Sequence, residues 1–276
     1  MSQITASDVN KLRQETGAGM MDCKNALVEA EGDFVKATDL LRKQGQKIAA
    51  KRGGREANEG YIIAKTNEDG TMGIVLTLNC ETDFVARTED FQGYANTIAD
   101  TALSNGVDSI DSLKLVQANG STVQEGITEM SGKIGEKIEL AQYEIIKSEL
   151  VVAYNHPGNR LATIIGLSKS GDGVAEAGKN VSMQIAAMDP VAIDEEGVDQ
   201  TIVDREIEIG KEQARESGKP EEMLEKIALG KLGKFFKENT LLNQAYVKDN
   251  KKTIRQYLEE TDSELKVTSY NRLALG

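Results

Sequence analysis

One plan of alternating apolar runs occurs twice in this chain, and that pseudo-repeat limits the architecture more than any other feature of the sequence. In the first copy, residues 61–66 and 71–79 flank Asn67-Glu-Asp-Gly70, a strand, turn and strand with Asp69-Gly70 as the hairpin signal. In the second copy, residues 149–155 and 160–167 flank His156-Pro-Gly-Asn159. A helical segment follows each hairpin, at 88–103 and at 173–188. Further runs at 137–147 and 265–273 alternate apolar with polar residues and supply a third strand to each half. Each half then becomes a small antiparallel sheet with helices on one face, so the expected class is α+β with a duplicated sheet-plus-helix core.

Ahead of the repeat, residues 1–53 read as a three-helix module. Thr5 caps a first helix with Asp8 in its first turn, and Gly17 ends it. Cys23, Ala26, Leu27 and Ala30 share one face of a second helix that stops at Gly32. Asp33 caps a third, whose apolar face runs through Phe34, Ala37, Thr38 and Leu41 until Gly45. Three helices this short cover one small core, which suits a docking unit. Residues 46–60 carry Lys47, Lys51, Arg52 and Arg55 around Gly53-Gly54 and read as a solvated linker.

Within the second half, Val198, Ile202 and Ile209, then Ser217-Gly-Lys-Pro-Glu-Glu222, then Met223 and Ile227 describe two helices joined by a glycine and proline turn. Their apolar stripe is narrow, so the pair is expected to protrude as a short antiparallel coiled-coil arm. The resulting domain plan is a module at 1–53, a first core half at 54–148, a second at 149–188 with 239–276, and the arm at 189–238. The arm is a candidate for pairing two copies of the chain into a dimer.

Composition narrows the function. The 276 residues carry a net charge of −12, which argues against direct binding of a nucleic-acid backbone. No apolar run approaches the length of a membrane span, and the amino terminus lacks a secretory pattern, so the expected location is the cytoplasm. Cys23 and Cys80 are then read as small buried apolar residues rather than a disulfide. A single histidine, His156, rules out a histidine metal cluster, and the acidic residues are too numerous to single out an acid and a base. The expectation is a protein without cofactor, metal or covalent catalysis.

Two segments remain. Residues 173–180, Gly-Val-Ala-Glu-Ala-Gly-Lys-Asn, fall one residue short of a phosphate loop, with Asn180 where a Mg²⁺-binding hydroxyl belongs, and support a nucleotide-binding enzyme as the alternative function. The other is Asn79-Cys-Glu-Thr-Asp-Phe-Val85, where the first hairpin passes into its helix. In a chain with five phenylalanines and no tryptophan, an aromatic beside a carboxylate on such a loop is a candidate anchor for a partner. The plainer reading packs Phe84 and Val85 beneath the following helix.

The strings Thr16-Gly-Ala-Gly-Met-Met-Asp-Cys-Lys24 and Asn79-Cys-Glu-Thr-Asp-Phe-Val85 resemble the bacterial elongation factor Ts family, guanine-nucleotide exchange factors for elongation factor Tu. The resemblance spans nearly the whole chain and extends to the order of module, duplicated core and inserted hairpin. It implies that Thr82, Asp83, Phe84 and Val85 wedge into the nucleotide-binding domain of Tu near its Mg²⁺. It further implies contacts to Tu from Arg13, Met20, Met21 and His156, and a module of the ubiquitin-associated type. The sequence departs from the family pattern in the longer turn at 156–160. It also ends at Gly276, before the C-terminal helix some relatives place on Tu, which shifts the implied grip toward the module and core.

Overall fold

The computed structural model describes residues 4–276. It is an α+β structure of helices and small sheets. The chain forms two compact units, the first made of residues up to Ile63 with Leu76–Glu144 and Leu275–Gly276, the second of Ala64–Val75 and Ile145–Ala274. No helix among the described residues is long and apolar enough to cross a membrane.

The chain begins with three helices, α1 (Ala6–Thr16), α2 (Met20–Glu29) and α3 (Phe34–Arg52). Thr5 and Asp8 form a capping box at the start of α1, and Gly17 closes it in the left-handed region with φ 66°. Val9, Leu12, Cys23, Ala26, Leu27, Ala30 and Ala37 make the shared core, as the period of the sequence requires. The expected end of the third helix at Gly45 is wrong, because α3 continues to Arg52 and absorbs half of the expected linker. Gly45 is instead a contact glycine. A Cβ on the facing Gly132 would lie 2.3 Å from the Gly45 Cα, so the absence of side chains lets two helix backbones touch.

Strand β1 (Glu59–Thr66) turns through residues 67–70 into β2 (Met72–Cys80), with Gly70 at φ 71°. Next come the single turn α4 (Asp83–Ala86), α5 (Glu89–Asn105) and α6 (Ile110–Leu115). A two-residue ribbon of β3 (Gln117–Ala118) and β4 (Ser121–Thr122) leads into α7 (Val123–Ile134), and β5 (Glu139–Lys147) follows. The first sheet has the order β1-β2-β5. Helix α5 buries Phe91, Ala95, Ile98, Ala99 and Ala102 along one stripe. Helix α7 carries a capping box of Thr122 with Glu125 and is the partner of α3 at Gly132.

In the second unit, β6 (Leu150–Asn155) and β7 (Leu161–Leu167) form the second hairpin, and α8 (Val174–Met188) follows. Helices α9 (Gln200–Glu216) and α10 (Glu221–Asn239) come next, then the ribbon of β8 (Ala245–Tyr246) and β9 (Asp249–Thr253), α11 (Ile254–Thr261) and β10 (Val267–Ala274). The sheet order is β10-β7-β6 and both pairings are antiparallel, with Val151 opposite Gly166 and Tyr270 opposite Ile165. The central strand β7 is buried along nearly its whole length, as its largely apolar run, interrupted only by the buried Thr163, demands. Ile165, Leu167, Val174, Val181 and Ile185 belong to one core with Ile254, Leu258 and Val267.

Helices α9 and α10 meet through small residues and leucines, with Ile202, Ile209 and Ile227 of the expected stripe half-buried beside them. Gly210, Ala214, Leu224, Ala228 and Leu232 are buried, whereas Met223 is exposed and Val198 lies ahead of α9. Gly210 sits directly against Ala228, so the two helix backbones approach closely at that point.

Candidate functional site

The segment after β2 is built from its backbone outward. Cys80 ends the strand fully buried, and its thiol donates to the Thr82 carbonyl at 3.1 Å. Burial, reinforced by the nearby Glu136 carboxylate, pushes that thiol up to about 12. The Glu136 Oε2 accepts the backbone N–H of Glu81 at 3.1 Å and of Thr82 at 3.0 Å, while the Thr82 hydroxyl donates to Oε1 at 2.7 Å. Glu81 in turn accepts the backbone N–H of Lys137 at 2.6 Å and holds the Arg52 guanidinium at 3.1 Å. Hydrogen bonds with a charged partner are the strong ones, so this corner is stiff.

The far side of the turn is secured as well. The Thr88 hydroxyl donates to the Val85 carbonyl at 2.8 Å, the Gln92 amide donates to the Ala86 carbonyl at 3.1 Å, and Ala86 is buried. Asp83 pairs with Arg87 one turn on at 2.9 Å. With the backbone occupied on both sides, Phe84 is left pointing outward at 80% exposure. The reading that tucked Phe84 beneath the following helix is therefore excluded. Phe91, on α5, is by contrast fully buried. Single exposed apolar residues are common on proteins; this one stands on a turn held from both sides.

Thr82, Asp83, Phe84 and Val85 thus share one short element, while the other residues singled out from the sequence stand elsewhere. Arg13 is exposed on α1. Met20 and Met21 are exposed at 52% and 63%, so neither fills the core of α2. His156 lies in the exposed turn between β6 and β7, where its Nδ1 shares a 2.9 Å hydrogen bond with the Tyr154 hydroxyl. Asn159 and Gly158 take left-handed conformations in that turn, at φ 52° and 89°. The neighbouring Asn155 fastens the strand end through the N–H and carbonyl of Ala64, at 2.7 and 2.8 Å.

The alternative phosphate loop at 173–180 does not exist as a loop. Gly173 alone is left-handed, at φ 77°, and residues 174–180 are the first turns of α8. A Cβ on Gly178 would press on Val152 and Leu167, so this glycine serves helix and sheet packing. Asn180 donates to the Tyr257 hydroxyl and accepts from Lys248, both at 2.7 Å. Four helix-compatible residues between the glycines wind up instead of cradling an anion. Among the described residues no group of three or more His, Cys, Asp or Glu side chains is arranged to hold a metal ion.

Sequence reasoning missed Glu136 altogether, and also the roles of Glu81, inside the 79–85 string, and of Arg52, read there as part of a solvated linker. The Thr122-x-x-Glu125 capping signal could have placed α7 and hence the turn holding Glu136, but nothing local marks Glu136 itself.

Fold and turn together define an α+β protein that holds one aromatic ring in solvent on a hydrogen-bonded turn. A family model described as Elongation factor TS matches residues 81–276. Proteins named Elongation factor Ts from Christiangramia forsetii and Flavobacterium psychrophilum are 54% and 50% identical over 276 residues, covering all of each chain. A third, from Amoebophilus asiaticus, is 52% identical over 274 residues, covering 99% of both chains. The chain therefore belongs to the elongation factor Ts family, a family of translation elongation factors.

Proposed function

We propose that this chain promotes the release of GDP from elongation factor Tu by inserting residues 82–85 beside the magnesium and nucleotide site of that protein, making and breaking no covalent bond itself. The observation that carries the reading is the 80% exposure of Phe84 on a turn clamped from both sides. In this reading Phe84 enters between helices of the Tu nucleotide domain and Asp83 disturbs the surroundings of the Mg²⁺. Magnesium demands near-octahedral geometry at about 2.0 to 2.1 Å, so small displacements of its ligands weaken the nucleotide strongly.

Exchange of this kind is linkage, in which the factor weakens GDP by the ratio with which GDP weakens the factor. A thousandfold loosening requires about 4 kcal/mol, more than the ~1 to 3 kcal/mol usual between distant sites, and so favours direct contact at the site. Arg13, Met20, Met21 and His156 supply grip in this scheme. The exposure of both methionines supports an adaptable apolar contact. The helices α1 to α3 act as a module of the ubiquitin-associated type, and α9 with α10 as a coiled-coil arm that pairs two copies of the chain or touches Tu.

The test is release of fluorescently labelled GDP from purified Tu. Phe84→Ala and Asp83→Ala are expected to slow the stimulated release while leaving the fold intact, Phe84→Ala by about thirtyfold or more. Stimulation by both variants at the parental rate would dispose of the wedge.

A further inference from the structure

Glu136 stands in the turn between α7 and β5, yet its one carboxylate satisfies three donors of the presenting corner. The tie is reciprocal. Glu81 accepts the N–H of Lys137, the residue after Glu136, and carries the guanidinium of Arg52 from the last residue of α3. Thr82 is the N-cap of α4, but its side chain makes no bond to the N–H groups of that helix. A capping threonine ordinarily fixes its own helix from within. Here the hydroxyl goes to Glu136, and a four-residue helix is too short to hold itself. The direction of α4, and with it the direction of the Phe84 ring, is thus set from outside the helix.

We infer that Glu136 is the positioning residue for Phe84, aiming the ring without itself touching the partner. This rests on the reading of residues 82–85 as the wedge. The role separates aim from grip. Loss of the clamp leaves Arg13, Met20, Met21 and His156 in place but lets the tip wander, so the bound factor acts more slowly at an unchanged affinity.

Two measurements on the full chain test it. The sequence contains no tryptophan, so Phe84→Trp makes the tip the single indole of the molecule. Its nanosecond anisotropy decay then reports motion of the tip with no partner present, and Glu136→Ala should raise the amplitude of the fast component about twofold. Glu136→Gln keeps an oxygen for the two backbone N–H groups and should restore the parental decay. Equal decays for parent and Glu136→Ala overturn the inference.

In GDP release from Tu, Glu136→Ala should lower the maximal stimulated rate about tenfold while the half-saturating concentration of factor stays within about twofold. Adding Phe84→Ala to Glu136→Ala should then cost far less than it costs the parent, whereas independent, multiplying losses contradict the positioning role. If Phe84→Ala alone releases GDP like the parent, the wedge reading fails, and the anisotropy still decides what Glu136 does. Should Glu136→Ala not fold by circular dichroism, Thr82→Val removes the hydroxyl bond to Glu136 and should raise the fast component of the partner-free anisotropy decay by a smaller amount, an unchanged decay being equally damaging.

Discussion

The exits from the two hairpins are laid out alike and finished differently. After β2 the chain meets Glu136 and Lys137, just ahead of the third strand β5; after β7 it meets Asp262, Glu264 and Lys266, just ahead of the third strand β10. In the first exit a carboxylate takes backbone N–H groups, and the side chain of Phe84 is left unused by the fold. In the second, Lys169 reaches the carboxylates of Asp262 at 3.0 Å and Glu264 at 2.7 Å, and Gly171 and Gly173 complete the way into α8. One exit presents an apolar ring; the other only closes on itself. The layout alone therefore does not make a site, and what distinguishes the two is which groups are consumed by the tie.

The contrast is sharpest between two phenylalanines on either side of Thr88. Phe91→Ala removes a fully buried ring and should cost about 3 to 5 kcal/mol of stability by urea denaturation. Phe84→Ala should leave the same midpoint unmoved, although it has the largest expected effect on GDP release; a comparable loss of stability would show that the exposed ring is structural after all. Next in size, Gly132→Ala drives a Cβ to 2.3 Å from the Gly45 Cα and should cost about 1 to 3 kcal/mol, with hydrogen exchange quickening in α3 and α7. The smallest effect belongs to the second exit. Lys169→Ala breaks ion pairs at the surface and should barely move the melting temperature or the rate of GDP release. A release defect like that of Phe84→Ala would erase the distinction between the exits.

Much of this was legible beforehand for a local reason. Hairpins at Asp69-Gly70 and at His156–Asn159, caps at Thr5 and Asp33 and the apolar stripe of α8 are decided by turn chemistry and periodicity within a few residues. Where several roles compete for one residue, local reading failed. Gly45 is a plausible helix stop and became a contact glycine once α7 lay against α3. The α9 and α10 seam buries Gly210, Ala228 and the neighbouring Leu224 and leaves Met223 exposed, because which face of each helix turns inward depends on the partner helix. Helices α7 and α11 carry capping boxes at Thr122 and Thr253 that mark their starts as clearly as the box at Thr5.

From its residues alone this chain was bound to be an acidic α+β protein with two sheet-plus-helix halves, since alternation, caps and turns act over short stretches and need no distant partner. Whether Phe84 faced the core or the solvent was beyond such rules. That was decided when strand order brought Glu136 beside Thr82 and placed Phe91 in the interior, because burial and hydrogen bonding depend on what lies across space, not on what lies next in the chain.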